Sequence, residues 1–163
     1  MINADSSRST PHPYPVHYLY PGTIFAHRTP HQVNTVLGTC VAVCLWDSVL
    51  RFGGINHYLL PYWNGQGLAS PKYGNIAIPR LMKKMIDLGS HAGDIRAKLF
   101  GGKENEENEK GVFRIGSRNV EIAEDLLRDW EIPVLSSSVG GPKGRKILFH
   151  TDTGEVFLKY LAG

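Results

Sequence analysis

Thr35-Val-Leu-Gly-Thr-Cys40-Val-Ala-Val-Cys44-Leu-Trp-Asp47, followed at once by Gly53-Gly-Ile-Asn-His57-Tyr-Leu-Leu-Pro61, is the stretch whose reading decides the fold. Val41, Val43 and Leu45 alternate with Cys40, Ala42 and Cys44, so both faces of the run are apolar. That fits a strand buried on two sides. Periodicity alone does not exclude a helix, but the β-branched residues and the short length favour a strand. Phe52–Leu60 reads as the next strand, weakened at its start by Gly53 and Gly54. A hairpin centred between Ser48 and Val49 makes Cys40 and His57 direct cross-strand partners, with Cβ atoms about 4.5–5.5 Å apart. A slip of one residue sends them to opposite faces.

A thiol beside an imidazole is the minimum set for nucleophilic attack on a carbonyl. Gly38 lets the chain bend so that Cys40 emerges at a strand entrance, near amide N–H groups suited to an oxyanion. A charged histidine next to it lowers a thiol from its free value of about 8.5. A third group must orient the imidazole, and Thr35, Thr39 and Asn56 are the polar residues close in sequence. The plainer readings stand beside this one. A cysteine in a valine-rich run is ordinarily a small core hydrophobe, which is the preferred reading of Cys44. A lone histidine near a strand is more often a packed or surface residue than a catalyst.

Around this centre the chain reads as one domain of residues 14–163 preceded by a flexible, Ser/Pro-rich tail over 1–13. The 163 residues are 42% hydrophobic and 20% charged, ordinary for a globular protein with a full core. The net charge of +3 comes without an aromatic-interleaved basic stripe, so no nucleic-acid partner is expected. No apolar run approaches the ~18 residues of a membrane span, so no membrane insertion is expected. No secretory h-region is visible, and the cytoplasm is the expected location. Cys40 and Cys44 on one strand would have Cα atoms roughly 13 Å apart, beyond disulfide reach, which suits free thiols in a reducing compartment.

Ahead of the centre, Tyr14–Ala26 predicts a short strand or two, and His27–Gln32 a loop. Behind it, Tyr62–Lys72 reads as loop. Ala77, Ile78, Leu81, Met82, Met85 and Ile86 then recur at helical steps, with Asn75 as candidate N-cap, Pro79 acceptable only near the first turn, and Gly89 at the stop. Ile95–Leu99 alternates into a strand ending at Gly101-Gly102, and Lys103–Gly111 is a charged loop. Val120, Ile122, Ala123, Leu126, Leu127 and Trp130 line a second helix, capped by Ser117. Ile132–Val139 predicts a strand ending at Gly140-Gly141. Lys146–His150 and Glu155–Tyr160 form a hairpin about Asp152–Gly154. About eight strands and two main helices without strict βαβ alternation give an α+β domain, with mixed or largely antiparallel sheets flanked by the helices.

Three other patterns carry less. The glycine pairs at 53–54, 101–102 and 140–141 read first as tight turns and close packing, and second as a groove lining. Gly141-Pro-Lys-Gly-Arg-Lys146 lacks the G-x-x-x-x-G-K-[ST] pattern of a phosphate loop. His12, His17, His27 and His31 lack consistent ligand spacing, so no metal and no cofactor is expected.

Taken together, the two opening runs resemble the signature of the CheD family of chemoreceptor glutamine deamidases. The likeness continues through Lys72-Tyr-Gly74, Ala97-Lys-Leu-Phe-Gly-Gly102, Ile115-Gly-Ser-Arg-Asn119 and Val139-Gly-Gly-Pro-Lys-Gly-Arg145, covering about residues 20–160. The resemblance implies a cysteine-hydrolase architecture similar to that of a glutamine-deamidating bacterial toxin. It implies Cys40 as nucleophile, His57 as general base and Thr35 as third member, with Thr39 standing where serine is common. It further implies the helical cytoplasmic domain of a chemoreceptor as substrate, and a chemotaxis phosphatase of the CheC type as partner. The rival readings are a non-catalytic CheD-like regulator that binds such a phosphatase, and a thiol protease or transglutaminase-like enzyme.

Overall fold

Two-sided apolarity in the central run produces a layered molecule. The computed structural model of the chain describes residues 14–104 and 114–162, so the tail expected over 1–13 and most of the charged loop lie outside the described residues. The strands are β1 (Val16–Tyr18), β2 (Ile24–His27), β3 (Gln32–Leu37), β4 (Val41–Asp47), β5 (Phe52–Asn56), β6 (Ile95–Gly101), β7 (Val134–Val139), β8 (Arg145–His150) and β9 (Val156–Tyr160). The helices are α1 (Gly74–Asp87) and α2 (Ile115–Asp129). One sheet has five strands in the order β2-β5-β4-β6-β7, the other four in the order β1-β3-β8-β9. Among the described strands only β1–β3 and β6–β7 pair in parallel, so the sheets are mixed and largely antiparallel, as expected.

β4 explains the layering. Val41, Val43 and Leu45 pack with Ala77, Ile78, Leu81 and Met85 of α1 and Ala123 and Leu127 of α2. On its other face, Ala42 and Cys44 pack with Val33 and Leu37 of β3 and Ile147 and Phe149 of β8. The order is therefore helices, five-stranded sheet, four-stranded sheet. Gly53 and Gly54 sit where layers meet: a Cβ on Gly53 would lie 2.9 Å from the Phe149 ring, and one on Gly54 2.8 Å from Leu81. At this pair close packing is the role that the geometry requires.

The hairpin register differs from the expected one. Asp47 pairs with Phe52, Cys44 with Ile55 and Val41 with Tyr58, so the hairpin is centred between Val49 and Leu50 rather than between Ser48 and Val49. The buried Asp47 carboxylate explains the turn, because its Oδ1 accepts the Val49 N–H at 2.9 Å and the Leu50 N–H at 2.7 Å. The turn closes with Arg51 at φ 60°. Cys40 and His57 are consequently not direct partners. His57 falls opposite Ala42, two residues on from Cys40. The displacement is two residues, not one, and the two side chains stay on the same face.

Both predicted helix caps are corrected. α1 starts at Gly74 after Tyr73, and the Asn75 Oδ1 instead accepts the Trp63 N–H at 2.8 Å. Pro79 is the sixth residue of α1, deeper than the first turn. α2 starts at Ile115, and Ser117 is inside it, its N–H donating to Glu104 Oε2 at 2.8 Å. A carboxylate from outside the helix thus satisfies a free N-terminal amide and suits the dipole. Gly89 does stop α1, at φ 118°, with its N–H on the Ile86 carbonyl and the Ser90 N–H on that of Met85. β3 is a ninth strand among the described residues, one that the sequence reading does not assign. Its alternation of buried Val33, Thr35 and Leu37 with less buried Asn34 and Val36 is present in the sequence all the same.

Candidate active site

Cys40 is the residue immediately before β4 and is half-buried. Its surroundings fix the backbone on three sides. The Cys40 carbonyl accepts the Gly102 N–H and the Gly38 carbonyl accepts the Lys103 N–H, both at 2.9 Å. The Thr39 carbonyl accepts Asn119 Nδ2 at 3.0 Å. Gly101, at φ 112°, has no room for a side chain, since a Cβ there would run into the Cys40 carbonyl. Gly101, with Gly102 at φ 71°, thus lets β6 end against the cysteine loop.

His57 follows β5 directly and is fully buried between the two sheets. Its Nδ1 lies 2.8 Å from Thr35 Oγ1, and the Thr35 hydroxyl donates to the Leu19 carbonyl at 2.8 Å. A hydroxyl has one proton, so Oγ1 must accept from Nδ1–H. The proton then sits on Nδ1, and Nε2 carries the lone pair. Nε2 is buried and has no hydrogen-bond partner among the described residues. Thr35 reaches the ring because β3 belongs to the opposing sheet and turns Val33, Thr35 and Leu37 inward together.

In the β4–β5 register, Cys40 and His57 are diagonal neighbours on the inter-sheet face, a relation that spans about 7–8 Å between Cα atoms in a regular ladder. No hydrogen bond joins the thiol to the ring. Between them Asn56 takes over a ladder position, its Oδ1 accepting the Val43 N–H at 2.8 Å. Asn56 is therefore committed to the backbone, and Thr39 is exposed. Of the three polar residues near in sequence, Thr35 is the one bonded to the imidazole.

The electrostatics follow from burial. Burial lowers His57 to about 4. Burial raises the Cys40 thiol, with its own backbone N–H acting in the opposite sense. At neutral pH the pair is a neutral thiol and a neutral imidazole rather than an ion pair. Cys44 is raised much further by complete burial and packs against Ala42, Ile55 and Phe149. It is inert filling.

Two residues near the site close family-like segments, Ile115–Asn119 and Val139–Arg145, without a role read from them. Asn119 is fully buried on α2, and its Nδ2 bonds both the Thr39 carbonyl and, at 2.9 Å, the Leu59 carbonyl. Arg145 is buried, yet no carboxylate pairs with it among the described residues. Its guanidinium donates to the carbonyls of Gly101 at 2.9 Å, Ser138 at 2.5 Å and Gly140, and lies over the Tyr160 ring. Period was the available signal in both cases: Asn119 is one helical turn before Ala123, and Arg145 is in step with Ile147 and Phe149. The 141–146 segment so becomes a brace for the glycine turns. His17, His27 and His31 gather around Phe25, and no group of three metal-ligating side chains occurs among the described residues. His12 lies outside them.

The CheD family model, described as chemotactic sensory transduction, matches residues 59–160. A protein of Sulfurimonas denitrificans called "Probable chemoreceptor glutamine deamidase CheD" is 45% identical over 91% of this chain and 96% of its own length. One of the same name in Trichlorobacter lovleyi is 44% identical over 87% of this chain and 88% of its own. A third, "Probable chemoreceptor glutamine deamidase CheD 1" of Anaeromyxobacter dehalogenans, is 40% identical over 88% and 84%. Matches of that length and identity take in both sheets and both helices. The chain belongs to the CheD family of chemotactic sensory transduction proteins.

Proposed function

We propose that this protein is a protein-glutamine glutaminase that converts glutamine side chains of chemoreceptors to glutamate, with Cys40 as nucleophile, His57 as acid–base and Thr35 as the group that orients it. The observation that carries the reading is the Thr35–His57 hydrogen bond, which leaves the lone pair of Nε2 unused on the face that Cys40 shares. The names of the relatives supply the substrate class.

The chemistry suits a neutral dyad. As sulfur attacks the carboxamide carbon, its proton passes to Nε2 and the C=O electrons move to oxygen. The Cys40 N–H lies next to its own sulfur and suits the oxyanion that forms. An amide nitrogen leaves only when protonated, and an imidazolium of low pKa is a strong acid for that step. Ammonia departs and a thioester remains. Neutral Nε2 then takes a proton from water, hydroxide adds to the thioester, and collapse expels the thiolate, which recovers its proton from Nε2. Glutamate is the product, with no metal or cofactor in any step.

The same reading makes the protein cytoplasmic, since it acts on the helical cytoplasmic domain of the receptor. It also extends to the cysteine-hydrolase architecture of glutamine-deamidating toxins and to a CheC-type phosphatase as partner. No helix among the described residues is long and apolar enough to cross a membrane. Incubation with a chemoreceptor cytoplasmic fragment, followed by mass spectrometry, tests it: one glutamine should gain 1 Da with wild type and none with Cys40→Ala. Conversion that survives Cys40→Ala removes the cysteine from the mechanism. Absence of conversion by wild type on cognate receptors leaves the regulatory role instead.

A further inference from the structure

Past Val41 and Tyr58, which exchange both backbone hydrogen bonds, the two central strands part. The Leu59 and Leu60 N–H groups both turn to the Lys72 carbonyl, at 2.9 and 3.2 Å. The carbonyls of Thr39 and Leu59, one residue before Cys40 and two after His57, are left without ladder partners. Asn119 Nδ2 bonds both, at 3.0 and 2.9 Å. Because one nitrogen serves both, the two carbonyl oxygens are held no more than about 6 Å apart. Its backbone carbonyl also accepts the Tyr58 hydroxyl, so Asn119 grips the histidine segment twice.

We propose that Asn119 is a positioning residue: its side-chain amide sets the separation of Cys40 from His57 by tying together the two segments that carry them. The inference rests on the dyad proposed above and adds a member that comes from neither sheet. Packing alone is a poor account of this residue. Its neighbours on the inner face, Val120 and Ala123, are apolar, and Asn119 Oδ1 is buried without a partner among the described residues, a cost that an apolar side chain would avoid.

The test is the pH profile of Cys40 alkylation by iodoacetamide, read by mass spectrometry in the intact protein. Cys44 is buried and stays unlabelled. Wild type should show a component that persists through neutral to mildly acidic pH and that His57→Ala lacks. Asn119→Ala should lose that same component, with a fall on the order of 10-fold or more, and kcat on a receptor fragment should fall with KM unchanged. Asn119→Ala placed on His57→Ala should cause no further loss, because there is nothing left to position. Tyr58→Phe removes a bond to the Asn119 backbone, not its amide, and should lower Tm while keeping the profile. If circular dichroism finds Asn119→Ala unfolded, Asn119→Ser takes its place in each comparison. A folded Asn119 variant that keeps the wild-type profile overturns the proposal, as does one that slows His57→Ala by the factor it slows wild type. A wild-type profile equal to that of His57→Ala overturns the dyad itself, and with it the need for a positioning residue.

Discussion

Thr35 Oγ1 makes two bonds with one proton, and that arithmetic decides which nitrogen of His57 is basic. Thr35→Ala should therefore lower kcat by about 10- to 100-fold with little change in KM, since a misoriented base harms the reaction rather than binding. Thr35→Ser keeps the hydroxyl and should recover most of the rate in steady-state kinetics. Burial of His57 has a second consequence. An imidazole lowered to about 4 stays neutral in the folded chain, while the unfolded chain takes up a proton near 6.5. Above that value the two states are alike. As pH falls from about 6.5 to 4 the unfolded state binds more protons, and stability should drop by up to about 3 kcal/mol. Urea titrations at pH 7 and 4.5 should find His57→Gln losing less stability than wild type over this window. Deamidation by wild type should persist well below pH 6, with its acid limb near 4.

At the level of the element, the two helices end in the same way with different residues. Gly89 closes α1 at φ 118°, and Glu131 closes α2 at φ 58°, its N–H on the Arg128 carbonyl and the Ile132 N–H on that of Leu127. A side chain in the left-handed region carries a steric cost that glycine avoids. Glu131→Gly should therefore raise stability by about 0.5–1 kcal/mol, and Gly89→Ala should lower it by a similar amount, both measurable as Tm shifts. The hairpin teaches a related lesson. Strand identity was legible from the apolar residues of β4, whereas the shared face of Cys40 and His57 hung on the turn. The centre of that turn was not legible, because it depends on the Asp47 carboxylate finding the Val49 and Leu50 amides and the Ser90 hydroxyl, which donates to Oδ2 at 2.6 Å from the far end of α1.

Across the whole molecule, the site is held from three layers. β4 and β5 carry the thiol and the imidazole, β3 of the opposing sheet carries the hydroxyl, and α2 brings Asn119 against both strands. Arg145 joins the layers at that end by donating to carbonyls of the Gly101 and Gly140 turns and of Ser138. Lysine has the charge without the planar fork. Arg145→Lys should cost about 1–3 kcal/mol in chemical denaturation, because buried carbonyls lose their donors. The chain determined by itself the faces of its elements: two apolar sides on β4 and inward stripes on both helices. Periodicity encodes those, since it records how each residue points from its own backbone. Only the tertiary structure decided the register, the partner of His57 and the places of Asn119 and Arg145. Each of those depends on a group that another layer presents opposite, and the periodicity of a single element holds no record of what it will face.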